Sequence, residues 1–382
     1  MSKLRIMSVF GTRPEAIKMA PLVRELAGRE GFESLCCLTG QHREMLDSVM
    51  EIFRLRADYD LNIMQKQQTL SSITTRALLG MEAVLDEAKP DLILVHGDTS
   101  TTFAGALAAF YHKIPVGHVE AGLRTYDRYS PFPEEMNRTL VSDIAALHFS
   151  PTAANADNLR KEAVRGEIFI TGNTVIDAMK TTVRADYRFT TEALNALDFG
   201  GKKIIALTCH RRENYGQPMR DIFRAVREIV RTHPEVEVVY PVHLSPAVRD
   251  CAREVLGGAE RIHLIDPVDV EEMHNLMARC NFVMTDSGGL QEEAPAMGKP
   301  VLVLRRETER PEAVAAGTVK LAGVEYDNIV RLANALLEQP GEYEKMARAV
   351  NPYGDGSACR RIADAIEWHF GLRPDKPADF QA

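Results

Sequence analysis

The sequence predicts an α/β protein made of two doubly wound, Rossmann-like domains that face each other across a cleft. Two observations lead to this class. Apolar runs of strand length alternate with stretches of helical period along the chain, which is typical of βαβ units and parallel sheets. The 382 residues, of which 45% are hydrophobic, are enough to bury two ordinary cores.

The predicted strands fall into two series, and each series supplies one parallel sheet. The first consists of apolar runs at residues 4–10, 34–38, 92–95, 115–119, 147–150 and 168–171. The second consists of runs at residues 203–207, 237–241, 262–265, 282–285, 301–304 and 319–321. Helices with a one-sided apolar stripe lie between the strands, for example at 219–231 and 328–337, as expected for helices that pack on a sheet.

The domain boundaries follow from these two series. We place the first domain at residues 1–172 and the second at residues 173–365, with the joint near residues 172–198. Residues 372–382 contain two prolines and few apolar side chains, which predicts a loose tail. In sheets of this kind, ligands bind beyond the carboxyl ends of the strands, where the strand order reverses.

The bulk composition argues against several classes of partner. The formal net charge is −8 and no long block of Lys or Arg offsets it, so we expect no nucleic-acid partner and no anionic membrane surface. No segment approaches the ~20 apolar residues of a membrane span, and we expect a cytoplasmic protein. The six cysteines form no CxxC pair and no zinc-type cluster with His, so we expect reduced, buried thiols and no metal.

Two glycine-bearing turns follow predicted strands and open helices. Gly11 to Glu15 follow the run at 4–10, and Asp286 to Gly289 follow the run at 282–285. Free backbone N–H groups and the helix dipole favour an anion at such a turn, although an isolated glycine turn is more often only a turn. Two such turns across a cleft predict a ligand with a diphosphate and a second part, as in a nucleotide sugar. Neither turn has the GxxxxGK or GxGxxG pattern, so the P-loop and dinucleotide-binding classes have no motif support.

Three carboxylates follow the strands of the first predicted sheet. They are Asp98, Glu120 and Glu134. Carboxylates gathered in an apolar cleft raise one another's pKa, so that one can act as an acid while another acts as a base. The alternative is that Asp98 and Glu134 only stabilise helix N-termini. Glu120 fits that alternative less well, since Ala-Gly follows it and not a helical pattern.

Cationic side chains follow the strands of the second predicted sheet. His210 and Arg211 come after the run at 203–207, and Arg310 lies in a charged segment after the run at 301–304. Arginine binds phosphate oxygens bidentately, and a protonated His210 would help to hold the charge of a departing diphosphate. Glu292 and Glu293, which follow the second glycine turn, could bond ribose hydroxyls or be ordinary first-turn acids.

Taken together, the motifs resemble those of the non-hydrolysing UDP-N-acetylglucosamine 2-epimerases, which have the GT-B fold. They span nearly the whole chain in the expected order, which makes the resemblance far more specific than a single glycine turn. The matching segments are GTRPEAIK (11–18), QHREM (41–45), HGDT (96–99), HVEAGLRT (118–125), PEEMNR (133–138), GNTVID (172–177), HRREN (210–214), PVHL (241–244), TDSGGLQEE (285–293), ERP (309–311) and NPYGDG (351–356).

The resemblance assigns roles to particular residues. It implies that the catalytic set is Asp98, Glu120, Glu134 and His210. The residues predicted to bind the UDP-sugar are Arg13, Lys18, Arg211, His243, Ser287, Gly288, Gly289, Glu292 and Arg310. The residues that resemble the family's second, regulatory UDP-GlcNAc site are Gln41, His42, Arg43 and Arg76. The resemblance also implies a homodimer without metal or NAD, and a C-terminal helix that crosses back onto the first domain, with its end placed at 366–382.

The chemistry that the resemblance implies is inversion at C2 of UDP-GlcNAc to give UDP-ManNAc. No carbonyl activates that C–H bond, so loss of UDP from C1 must acidify it, with 2-acetamidoglucal as the intermediate. Two faces of C2 require at least two acid or base groups, which gives the three carboxylates a reason to be together. The alternatives are a hydrolysing epimerase, a GT-B glycosyltransferase that needs an acceptor, and a sensor that binds without converting.

Overall fold

The computed structural model describes residues 3–40, 43–65 and 68–382, which divide into two compact units. Unit 1 comprises Met1–Thr181 and Tyr353–Ala382, and unit 2 comprises Thr182–Pro352. Both are parallel sheets with helices on their faces, so the predicted class of two Rossmann-like α/β domains is confirmed. In the described part of the chain no helix is both long and apolar enough to cross a membrane.

The sheet of unit 1 has seven parallel strands. They are β1 (Leu4–Phe10), β2 (Phe32–Leu38), β3 (Tyr59–Asp60), β4 (Leu92–His96), β5 (Val116–Val119), β6 (Leu147–Ser150) and β7 (Glu167–Ile170). The spatial order is β3-β2-β1-β4-β5-β6-β7, so the direction of winding reverses between β1 and β4. The turns after these two strands therefore lie at the position where such sheets bind ligands.

Helices cover both faces of this sheet. They are α1 (Arg13–Ala27), α2 (Arg43–Ile52), α3 (Leu70–Ala88), α4 (Ser100–Tyr111), α5 (Glu134–Ile144), α6 (Ala153–Lys161) and α7 (Thr174–Thr182). Strand β1 shows why both faces need a cover: Ile6 and Phe10 belong to one core, while Met7 and Val9 belong to another. Side chains alternate between the faces of a strand, so a strand that is apolar at every position is buried on both sides.

The sheet of unit 2 has six parallel strands with the same kind of reversal. They are β8 (Lys203–Thr208), β9 (Val236–Pro241), β10 (Ile262–Ile265), β11 (Phe282–Thr285), β12 (Val301–Val303) and β13 (Val319–Leu321). The order is β10-β9-β8-β11-β12-β13, which places the reversal between β8 and β11. The helices are α8 (Glu192–Asn195), α9 (Gln217–Thr232), α10 (Pro246–Leu256), α11 (Val270–Arg279), α12 (Leu290–Ala296), α13 (Pro311–Ala316), α14 (Tyr326–Glu338) and α15 (Pro340–Ala347).

Every predicted strand is present, with ends that differ by two residues at most. Strand β3 was not predicted because two residues are too short to show a hydrophobic pattern. It lies at the edge of the sheet and pairs with Cys37 and Leu38 of β2.

The unit boundaries differ from the predicted ones. The first break falls after Thr181, not at residue 172, and the chain returns to unit 1 at Tyr353, not at 366. The reason is α16 (Ala358–His369), whose first turn is bound by Asp177 of α7. Both helices therefore belong to unit 1, and Ile362 and Ile366 of α16 are fully buried in its core.

The prediction of a loose tail at residues 372–382 is wrong. Ile170, at the end of edge strand β7, donates its N–H to Asp379 at 2.8 Å and accepts the N–H of Phe380 at 2.7 Å. The Phe380 side chain is 9% exposed, and the Lys376 ammonium lies 4.8 Å from the centre of the Phe169 ring. An unpaired strand edge offers hydrogen bonds that composition alone does not reveal.

The bond between Asp177 and α16 leads to a stability prediction. Asp177 is 8% exposed, and its two carboxylate oxygens accept the N–H groups of Ala358 and Cys359 at 3.1 and 3.0 Å. Asp177→Ala leaves both donors buried without an acceptor, which should lower the free energy of unfolding by about 2 kcal/mol in urea denaturation. Asp157→Ala is the control, because Asp157 makes only an exposed pair with Arg160 and its loss should not be measurable. Equal stability of the two variants would contradict this role for Asp177.

Candidate functional site

Asp98 lies in the turn between β4 and α4, directly after Gly97, whose φ of +65° suits glycine. Its carboxylate forms an ion pair with Arg138 of α5, and its carbonyl accepts a hydrogen bond from Asn137 at 2.8 Å. The Asp98 side chain keeps 28% of its surface exposed. It is thus fixed in position and still open to a ligand.

Glu120 follows β5, the strand next to β4, and is held more tightly than Asp98. Its φ is +64°, a left-handed conformation that costs energy for a residue with a side chain. The carboxylate pairs with Lys18, accepts a hydrogen bond from Asn173 at 2.8 Å and lies 3.5 Å from His96 Nε2. A strained backbone held by specific partners is typical of functional positions.

The structure brings Asp98 and Glu120 to one edge of the sheet, as predicted from the parallel strands. Strands β4 and β5 pair with His96 opposite Val119, so the two carboxylates follow neighbouring strand ends. The half-buried Glu134 begins α5, one helical turn before Arg138, and has no hydrogen bond or ion pair with a described side chain. The helix thereby links Glu134 to Asp98 through Arg138.

The first glycine turn depends on a residue that sequence reasoning did not single out. Glu15 is 2% exposed, and its carboxylate accepts the N–H groups of Gly11 and Thr12 at 3.1 and 2.8 Å. The same carboxylate accepts the hydroxyl of Thr99, beside Asp98, at 2.6 Å. Burial raises the pKa of Glu15, although these hydrogen bonds act in the opposite direction. Glu15 therefore ties the turn after β1 to the turn after β4.

The two cations predicted on α1 differ in their surroundings. Arg13 is the first residue of the helix, and its side chain is exposed. Lys18 is partly buried against Glu120, with 18% of its side chain exposed. A ligand that uses Lys18 must therefore share it with, or take it from, a carboxylate.

In unit 2, His210 and Asp286 follow the two strands between which the winding reverses. The Asp286 carboxylate is fully buried and accepts the N–H groups of His210 and Arg211 at 2.7 and 2.8 Å. His243 follows β9, and its ring stacks on that of His210 with the ring centres 5.2 Å apart. Two of the predicted side chains therefore lie together at one edge of this sheet.

The second glycine turn has two arginines close to it. A Cβ on Gly288 would lie 3.9 Å from the Arg310 guanidinium and 4.0 Å from that of Arg211. Arg310 forms an ion pair with Glu292 of α12, which is 3% exposed. Ser287 donates its N–H to Thr285 at 2.9 Å. The turn thus has two guanidinium groups within reach of an anion bound beside Gly288.

The charge-holding role predicted for His210 requires a protonated ring, so its state in the unliganded protein is relevant. Burial lowers the pKa of His210, and nearby His243 and Arg211 lower it further, while Asp286 acts in the opposite direction. The ring is therefore neutral at pH 7. Glu293, suggested to bond ribose hydroxyls, already has a partner in the protein. Its carboxylate lies 3.3 Å from Nε2 of the buried His274.

The predicted regulatory residues are only partly described. Gln41 and His42 lie outside the described residues, as does the side chain of Arg43, which begins α2. Arg76 of α3 donates to the carbonyl of Ile63 at 2.9 Å and to the carbonyl and hydroxyl of Ser72 at 3.0 Å. Three nitrogen atoms of the Arg76 guanidinium group thus already donate hydrogen bonds to other residues of unit 1.

The cysteines agree with the sequence prediction: all six are buried free thiols. Burial raises the pKa of Cys37 to about 12, so its thiol stays protonated. Over residues 3–40, 43–65 and 68–382, no group of three or more His, Cys, Asp or Glu side chains could hold a metal ion.

In unit 1, two carboxylates follow neighbouring strands near the point where the winding reverses. In unit 2, guanidinium groups lie around a glycine turn at the reversal point. These features define the class of nucleotide-sugar enzymes. Comparison with known proteins narrows this class. The family model of UDP-N-acetylglucosamine 2-epimerase matches residues 24–367. The UDP-N-acetylglucosamine 2-epimerase of Bacillus subtilis is 55% identical over 100% of this chain and 99% of its own. That of Escherichia coli K12 is 52% identical over 95% of this chain and 98% of its own.

Solved structures agree with these relatives. A crystal structure of UDP-GlcNAc 2-epimerase from Neisseria meningitidis, bound to UDP-GlcNAc, matches with a TM-score of 0.86 and 47% identity, and covers 96% of this chain and 100% of its own. The chain belongs to the UDP-N-acetylglucosamine 2-epimerase family. The predicted enzyme class is confirmed.

Buried histidines beside the carboxylates lead to a prediction about pH. Burial lowers the pKa of His96 from 6.5 to about 4, although Glu120 opposes it, and lowers that of His118 from 6.5 to about 3. Between these values the unfolded chain binds one more proton per histidine, so stability must fall as the pH drops below 6.5. Each histidine should contribute about 1.4 kcal/mol per pH unit, or about 2 kcal/mol between pH 6.5 and 5.

Urea denaturation at pH 7, 6 and 5 measures this effect. His118→Gln should lower the slope of stability against pH by about one proton. His369→Gln, at an exposed position, is the control and should leave the slope unchanged. Wild-type stability that stays constant from pH 7 to pH 5 would contradict the prediction.

Proposed function

We propose that the protein epimerises UDP-GlcNAc to UDP-ManNAc reversibly, without hydrolysis, through elimination and re-addition of UDP. The C1–O bond breaks and its electron pair leaves with the diphosphate. A carboxylate takes the C2 proton, and a C1=C2 double bond forms in 2-acetamidoglucal. UDP then adds back to C1 while a second acid protonates C2 from the other face.

The observation that supports this proposal most strongly is the placement of Asp98 and Glu120. They follow neighbouring strands, and each is held by its own cation, Arg138 or Lys18. Acid–base chemistry on two faces of one carbon needs two separately fixed groups, and these are fixed by different partners. Glu134, one turn before Arg138, is the third candidate.

Unit 2 supplies the groups that would stabilise the leaving diphosphate. Arg211 and Arg310 both lie close to Gly288, and His210 follows the adjoining strand. Guanidinium groups placed where negative charge develops lower the barrier to C1–O cleavage. The same groups would hold UDP until it adds back.

The mechanism predicts uptake of solvent deuterium at C2. UDP-GlcNAc incubated with the protein in D2O should give UDP-GlcNAc and UDP-ManNAc that both carry deuterium at C2, as seen by NMR. Asp98→Asn, Glu120→Gln and Glu134→Gln should each lower the rate by at least ~100-fold, the low end for loss of a general acid or base. Glu30→Gln, at an exposed position on the same unit, is the control.

Three results would contradict the mechanism. Retention of the C2 proton through turnover would exclude elimination. Release of free ManNAc together with UDP would indicate the hydrolysing reaction. Turnover only after addition of an acceptor would indicate a glycosyltransferase.

The glycine turn of unit 2 leads to a prediction about binding. A Cβ on Gly288 meets only ordinary contacts, so Gly288→Val should fold normally, yet its side chain would occupy space beside the guanidinium groups of Arg310 and Arg211. Affinity for UDP should fall at least ~10-fold, which is about 1.4 kcal/mol. Calorimetry measures it, and Gly341→Val, where a Cβ meets open space, is the matched control. Equal affinity in both variants would mean that the turn has no contact with phosphate.

Two further parts of the proposal concern assembly and regulation. Exposed apolar side chains lie on the packed helices α3, α4 and α5, and we propose that a second copy of the chain covers them; they are Leu79, Phe110, Tyr111 and Leu140. Regulation by a second UDP-GlcNAc at Arg43 and Arg76 remains a prediction, as does a cytoplasmic location.

A further inference from the structure

The two oxygens of the buried Asp286 carboxylate have different surroundings. Oδ2 accepts three hydrogen bonds: from the N–H groups of His210 and Arg211, and from the Asn214 amide at 3.2 Å. These bonds fix the loop that begins with His210 and leave no capacity on this oxygen.

The other oxygen, Oδ1, is fully buried and accepts no N–H or O–H hydrogen bond from the described residues. It lies 3.5 Å from Nδ1 of His210, a distance too long for a strong hydrogen bond. The Cys209 thiol is a further hydrogen-bonding neighbour of this carboxylate, but a thiol is only a weak donor. Burial and the Asp286 charge raise the pKa of Cys209 well above its ordinary value, so the thiol stays neutral. A buried carboxylate oxygen without a strong donor is costly, and a nearby ring N–H would satisfy it.

The ring of His210 is confined but not yet bound to this oxygen. His243 stacks on it with an angle of 13° between the ring planes, and 37% of the His210 side chain is exposed. The titratable and charged groups that face the ring are Asp286, His243 and Arg211. Cys209 faces the Asp286 carboxylate and so influences the ring only indirectly. Only Asp286 favours the protonated ring, and in the unliganded protein burial outweighs it.

We propose that Asp286 is a positioning residue for His210: when the diphosphate binds, Nδ1–H donates to Oδ1, and the protonated ring presents Nε2–H to the phosphate. The proton comes from solvent, and no bond other than these hydrogen bonds forms. The imidazolium then lies between two negative groups, the carboxylate and the diphosphate, each of which stabilises its charge. This inference rests on the proposed role of His210 at the leaving diphosphate.

Nitrogen NMR of the histidine rings tests the inference without relying on turnover. The probe is UDP-GlcNAc at equilibrium with its product, and the His210 signal is identified by its loss in His210→Asn. In the wild type, UDP-GlcNAc should raise the pKa of His210 by at least ~1 unit, and both ring nitrogens should then carry protons. An unchanged pKa would overturn the inference.

Asp286→Asn provides the decisive variant. Its amide oxygen can still accept the loop N–H groups, while its NH2 group donates to Nδ1 and holds a neutral ring with the proton on Nε2. UDP-GlcNAc should then no longer raise the pKa of His210, and kcat should fall at least ~10-fold with a smaller change in KM, because charge develops on the diphosphate in the transition state. A pKa rise equal to that of wild type would overturn the inference.

Asp198→Asn is the matched control. Asp198 also accepts two consecutive backbone N–H groups in unit 2, those of Gly200 and Gly201, but has no histidine partner. If Asp286→Asn does not fold, the Nδ1–H proton of the wild-type complex decides: a strongly downfield signal supports the bond to Oδ1, and its absence overturns it. If His210→Asn keeps full activity, the proposed function of His210 fails, while the NMR result still decides the pairing with Asp286.

Discussion

Buried carboxylates that accept consecutive backbone N–H groups are the constraint on which the rest of this structure depends. Glu15 does this for the turn after β1, Asp286 for the loop after β8, and Asp177 for the start of α16. A turn or helix start at the end of a buried strand has free N–H groups that water cannot reach, so an acceptor must come from the protein. In two of these places, the turn so fixed carries side chains predicted to bind the nucleotide sugar.

In each unit, charged side chains predicted to bind or react with the ligand form ion pairs with partners from the same unit. The ion pairs that do this are Lys18–Glu120, Arg138–Asp98 and Arg310–Glu292. All three are partly or largely buried, so their geometry is better defined than that of exposed pairs. A phosphate that takes Lys18 or Arg310 finds the side chain already ordered, which lowers the entropy lost on binding. It must also compete with the carboxylate that held it.

Burial lowers the pKa of His96 and His118 in unit 1 and of His210 in unit 2. His96 and His118 are buried at strand ends in unit 1, and burial disfavours their charged forms more than Glu120 favours them. His210 is less buried, so a second anion can change its state. Depth of burial therefore distinguishes His96 and His118 from His210, whose ring is partly open to an anion in solution.

The sequence by itself determined the fold class, the order of the strands along the chain, the two glycine turns and the family, because hydrophobic period and local motifs are properties of neighbouring residues. It did not show that Glu15 and Asp286 hold the turns, that residues 372–382 dock on Ile170, or that His210 is neutral. These depend on contacts between distant parts of the chain, such as Lys18 with Glu120, 102 residues apart. Tertiary structure alone decides them, because burial and the choice of partner arise only when the sheet has assembled and its strand ends have met.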